Sequence, residues 1–113
     1  MSFEQILEMV SALEGIEAVL FLDSTGEMIF SIGDQDSEKL QLVGAYQGIL
    51  LNSISRIGMI REQTVITLGQ QRSILTRHIK DGYFICVLFS PETHFALTHL
   101  RIQDACDSLA REL

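Results

Sequence analysis

Apolar residues enter the chain at helical spacing. Phe3, Ile6, Leu7, Val10 and Leu13 stand at i, i+3, i+4, i+7 and i+10, one stripe of an amphipathic helix. Ser2 and Gln5 have the spacing of a capping box at its start, and Gly15 stops it. From Ile16 to Leu22 both alternating sets are apolar, Ala18, Leu20 and Leu22 on one side and Val19 and Phe21 on the other, which predicts a strand covered on both faces. Asp23-Ser24-Thr25-Gly26 is a turn sequence, and Met28, Phe30 and Ile32 alternate across Glu27 to Ile32, so the two strands form a hairpin.

A short polar loop, Gly33 to Ser37, then leads into a long helix that Asp36 or Ser37 can cap and that ends near Gly58. Thr64 to Leu68 is β-branched and alternating, Arg72 to Lys80 alternates again, and Asp81-Gly82 is a hairpin signal ahead of the apolar run Tyr83 to Phe89. Ser90 and Pro91 read as N-cap and first residue of a last helix with Phe95, Ile102, Ala105, Cys106, Leu109 and Leu113 on one face. The predicted order is αββαβββα, an α+β chain with no repeat and no linker.

The second helix is the most informative segment. From Leu40 to Ser55 there are sixteen consecutive positions without a charge, whereas a surface helix shows charge on its outer side. At 100° per residue, Leu40, Val43, Tyr46, Leu50, Leu51, Ile54 and Ile57 cover one side, and Leu42, Ala45 and Ile49 widen the apolar arc. Gln41, Gly44, Gly48, Asn52 and Ser55 make the remaining side, small or uncharged groups that let another helix approach closely. The expectation is a helix buried twice, against the sheet and against a second copy, set against a core helix with a neutral outer face. Thr64 to Leu68 reads as a sheet edge, open to pairing with a second copy or blunted by neighbouring loops.

Composition narrows the class of protein. The 113 residues suit one domain, 1–113, and 47% hydrophobic against 20% charged residues excludes a disordered chain. The longest apolar run is the seven residues Tyr83 to Phe89, against the roughly 20 that a membrane helix needs, so no membrane insertion is expected. Glu4 and Glu8 stand where a secretory signal would carry positive charge, which points to the cytoplasm. A net charge of −7 makes nucleic acid and anionic membranes poor partners. Residues 1–40 hold nine acids and one base, whereas residues 41–113 hold six acids and seven bases, so the acidity belongs to the N-terminal third. The mean hydropathy of +0.25 points to an oligomer, because a domain this small exposes much of its surface.

The chemistry-bearing residues form no catalytic pattern. Asp34, Asp36 and Glu38 begin like a calcium loop, but Lys39 stands at its sixth position and Ala45 at its twelfth, so the loop fails. His78 lies on a strand between Arg77 and Lys80, and His94 and His99 are five apart on a helix, so no pair shares a face for a metal. There is no phosphate loop, dinucleotide fingerprint, nucleophile elbow or Cys-x-x-Cys. Arg56 and Arg61 flank the end of the long helix without a finger motif, and Cys86 and Cys106 read as small buried hydrophobes. No cofactor, metal or catalytic residue is assigned.

The order αββαβββα, the neutral second helix, the stretch Gly15 to Ile29 with its apolar strand, Asp, short turn, Gly and second strand, the acidic loop and Ser90-Pro91 together resemble the roadblock (dynein light chain) family over nearly the whole chain. The resemblance implies a roadblock/profilin-like sandwich, a five-stranded antiparallel sheet of order 2-1-5-4-3 between helices. It also implies dimers formed through the long helix and the third-strand edge. Family members are non-enzymatic regulators and scaffolds, and bacterial ones resemble partners of small Ras-like GTPases; the short chain looks like a stand-alone bacterial or archaeal form. Gly44, Gly48, Leu51, Asn52, Ser55, Thr64 and Ile66 are then expected at a homodimer contact, and Asp34, Asp36, Glu38 and Gln41 at a rim for the GTPase. The alternatives are a sensory module that encloses a small ligand and a structural adaptor indifferent to nucleotide.

Overall fold

Each predicted element forms, in the predicted order. The computed structural model describes residues 2–33, 37–57, 64–91 and 95–113, apart from the side chains of Ser37, Asn52, Ile54 to Ile57 and Phe95. The elements are α1 (Phe3–Ser11), β1 (Ile16–Leu22), β2 (Met28–Gly33), α2 (Ser37–Ile57), β3 (Thr64–Thr67), β4 (Ser73–Lys80), β5 (Tyr83–Phe89) and α3 (Phe95–Glu112). The capping box is made: the Ser2 hydroxyl accepts from the Gln5 N–H at 3.3 Å and the Gln5 side chain accepts from the Ser2 N–H at 3.0 Å.

The strands make one antiparallel sheet in the order β2-β1-β5-β4-β3. The two strands with apolar residues on both alternating sets, β1 and β5, lie at its centre with Leu20 opposite Cys86, because only a strand covered on both faces can bury such a sequence. Val19, Phe21, Leu75, Ile85 and Val87 face α1 and α3, where Ile6, Leu7, Val10, Ile102, Cys106 and Leu109 meet them. Ala18, Leu20, Leu22, Phe84, Cys86 and Leu88 face the other way, toward Leu40 and Leu51 of α2. The sheet is thus a middle layer, with two helices over one face and a single helix over the other.

Pro91 sits in a turn and the described part of α3 begins at Phe95; the stretch between them, where the expected helix start after Ser90-Pro91 falls, lies outside the described residues. The Ser90 N–H is bound to the Gly15 carbonyl at 2.8 Å, which ties the end of β5 to the turn after α1. Gly15 holds a φ of 85°, the left-handed region that glycine enters without strain.

Candidate functional site

The first hairpin positions everything on the α2 side. The Asp23 carboxylate accepts from the Thr25 N–H (2.9 Å), the Thr25 hydroxyl (2.6 Å) and the Glu27 N–H (3.1 Å), closing the β1–β2 turn. These hydrogen bonds, led by that of the Thr25 hydroxyl, hold the Asp23 carboxyl below its ordinary value against the opposing effect of desolvation. Gly26 completes the turn at a φ of 86°, and α2 passes directly over it: a Cβ on Gly26 would stand 3.5 Å from the Ala45 Cα.

The glycines of α2 face the sheet. A side chain on Gly44 would collide with Leu22 Cδ2, and one on Gly48 would come within 3.0 Å of Phe84 Cζ. Gly44 and Gly48 are therefore buried on the sheet-facing side of the helix and not on the outer side expected for them, and Leu51, also expected at a contact with a second copy, is buried on the sheet-facing side with them. The reason is steric: a helix without bulk on one face settles closest to the sheet on that face. Between the glycines Gln47 is buried as well, and its Oε1 accepts from the Thr76 hydroxyl at 2.8 Å, with Cys86 Sγ 3.6 Å from that hydroxyl. Burial pushes the Cys86 thiol up to about 12, and Cys106 likewise, so both act as buried hydrophobes.

The large side chains go outward. Leu42, Tyr46, Ile49 and Leu50 are exposed, Tyr46 and Ile49 each at 65%, with Ala45 and Ser53 between them. A helix face on the solvent side ordinarily carries charge, and this one carries none. The sequence reading put Tyr46 and Leu50 on the covered side. The signal that separates the faces is the run Leu40, Gly44, Gln47, Gly48, Leu51 at three- and four-residue spacing, in which glycine marks close approach.

At the far side of the sheet β3 pairs with β4 alone among the described strands and forms an edge. Val65 packs on the α2 side, so alternation sends Thr64 and Ile66 to the opposite face. Thr64 accepts from Arg77 Nη1 at 3.4 Å, Ile66 is partly exposed, and Leu68 just beyond is 80% exposed. Glu38 and Gln41, expected at a partner rim, are exposed on the first turns of α2. Asp34, Asp36, Arg61 and His94 lie outside the described residues, as do the side chains of Asn52, Ser55 and Arg56. His78 is exposed, and its Nε2 accepts from the Gly82 N–H at 3.0 Å within the β4–β5 hairpin.

This architecture is that of roadblock/LC7 domains and MglB proteins. The chain superposes on Myxococcus xanthus MglB with a TM-score of 0.85 at 18% identity, over 96% of this chain and 92% of that one. An MglB structure with a tetrameric arrangement gives 0.84 at 14% identity, over 97% and 86%. A Roadblock/LC7 domain from Streptomyces avermitilis gives 0.80 at 14% identity, over 98% and 97%. No protein-family model and no curated protein matches the chain in sequence. Its fold is the roadblock fold.

Proposed function

We propose that this chain is a cytoplasmic, non-enzymatic regulator or scaffold that works as a homodimer and binds a small Ras-like GTPase. The observation that carries the reading is the outer face of α2, where Leu42, Tyr46, Ile49 and Leu50 stand in solvent on a helix without charge from Leu40 to Ser55. Leaving this much apolar surface wet is unfavourable, and a second copy supplies an identical uncharged face to cover it. The open edge of β3 lies at the rim of the same sheet, so backbone pairing across two copies adds to the helix contact. The neighbour with a tetrameric arrangement supports assembly as the mode of action. The filled faces of the sheet, Leu20, Leu22, Phe84 and Leu88 on one side and Phe21, Ile85 and Val87 on the other, favour a protein-binding module over a ligand-enclosing sensor.

The homodimer is tested with Tyr46→Glu and Ile49→Glu together. Light scattering at micromolar concentration gives twice the chain mass of 12.7 kDa for the wild type and the single chain mass for the variant; a dimeric variant removes the α2 face from the contact. The GTPase is tested by using the chain as bait in its own cell extract, with a non-hydrolysable GTP analogue in one arm and GDP in the other. A regulator must have different affinities for the two states, so a GTPase enriched in one arm supports the proposal. Equal recovery makes the chain an adaptor indifferent to nucleotide, and recovery of no GTPase overturns the assignment of partner.

A further inference from the structure

The other face of the molecule carries a second surface of different character. Between α1 and α3 runs an open groove of about 210 Å³ with Ile6, Val10 and Leu13 along its α1 side and Met9 and Ala105 beside them. Ile6 and Val10 are buried floor residues, while Met9 is 58% exposed. Arg101, Asp104 and Ser108 form the α3 wall. Leu97, one turn before Arg101 on that side of α3, is exposed and extends the apolar line. On the α1 lip Gln5, Met9 and Ala12 follow each other at i, i+4 and i+7, and none carries a charge. The volume lies below the roughly 300–1,000 Å³ of small-molecule pockets, and the groove opens between two helices, so it suits side chains delivered by a helix laid between them.

The charge around the groove selects the occupant. Glu4, Glu8 and Glu14 on and after α1, with Asp104, Asp107 and Glu112 on α3, are exposed, and the described residues of the same two helices carry the two cations Arg101 and Arg111, a net charge of −4, with Lys80 of β4 reaching the Leu113 carbonyl at the end of α3. A second copy would bring an identical acidic layer against this one within a screening length of about 8 Å, and like charges would oppose the pairing. The uncharged face of α2 has no such obstacle, so the two sides of the sheet differ in the partners they accept. We propose that the α1/α3 groove docks an amphipathic helix of a partner protein, its apolar stripe in the groove and its flanks basic.

The test uses two synthetic amphipathic peptides of about four helical turns with the same leucine stripe, one with lysine flanks and one with glutamate flanks. Fluorescence anisotropy against the full chain is expected to show saturable binding of the lysine peptide and at least about tenfold weaker binding of the glutamate peptide. Ala105→Arg fills and charges the groove, and Met9→Lys charges its exposed lip without touching the buried floor; each is expected to weaken the lysine peptide about tenfold or more. In the labelled protein, amide shifts at Met9, Ala105 and Ser108 should move on titration while those at Tyr46 and Ile49 stay in place. Equal binding of both peptides, no saturable binding, insensitivity to Met9→Lys in a folded variant, or shifts centred on Tyr46 and Ile49 would each overturn the proposal. So would a change of oligomeric state in Met9→Lys, which would make the groove a contact between copies. None of these readouts depends on the α2 dimer or on a GTPase.

Discussion

Asp23 shows how one side chain holds the first hairpin. Its carboxylate accepts three hydrogen bonds within five residues, and each favours the ionised form. Because the folded-state value is lowered, the resulting stability is present above the ordinary 3.8 and is lost as the pH falls through the folded value. A carboxyl titration by NMR should find Asp23 protonating below 3.8, and Thr25→Val, which removes the leading hydrogen bond, should move it upward. Gly44 makes the opposite kind of point, since its value lies in what it lacks. Alanine there gains about 1 kcal/mol of helix propensity but must displace Leu22, a fully buried side chain with no free direction, at about 1–3 kcal/mol. Gly44→Ala is therefore expected to lower stability in urea unfolding, whereas a glycine on the outer side of the helix would tolerate the change. The Asp-turn-Gly signal was legible in the sequence because it is local; the direction in which Gly44 faces was not, because a helix whose apolar arc is wider than one sheet face can cover has no preferred side until the sheet is in place.

At the scale of elements, α2 is held on the sheet by both packing and a buried polar contact. Gln47 reaches through an otherwise apolar layer to Thr76 in the middle of β4. Thr76→Val leaves the buried Gln47 carbonyl oxygen without that donor and should cost about 1–3 kcal/mol in denaturant unfolding. Gln47→Leu should cost less, because the Thr76 hydroxyl keeps Cys86 Sγ at 3.6 Å, and the double variant should fall below the sum of the two single costs. The alternation that predicts β1 and β5 as central strands was fully legible, since Ala18 to Leu22 and Phe84 to Phe89 have no polar face to offer water. The tie between the end of β5 and the turn after α1 was not: the Ser90 N–H is engaged by the Gly15 carbonyl, a partner 75 positions away that no local rule contains.

For the whole molecule, one sheet separates two helical layers of unlike charge. The layer of α2 offers an uncharged apolar face, and the layer of α1 and α3 offers a groove in acidic surroundings. Asp36→Lys with Glu38→Lys is expected to weaken the captured GTPase while leaving the mass by light scattering unchanged; an unchanged affinity would remove the acidic loop and the start of α2 from the contact. Raising the salt concentration should weaken the basic peptide on the α1/α3 side and leave the α2 dimer intact, because screening acts on exposed charges and hardly on apolar burial.

The sequence by itself determined the elements, their order and the two central strands, because periodicity and turn chemistry are read within a few residues of one another. It also determined that α2 has too much apolar surface for one sheet to cover. Tertiary structure alone decided which side of α2 is spare, since Gly44 and Gly48 earn their meaning only from Leu22 and Phe84, residues placed beneath them by β1 and β5. It likewise decided that Ile6, Met9 and Val10 share a groove with Arg101 and Ala105. A groove belongs to the space between two helices, and that space exists only after both have docked on the same sheet.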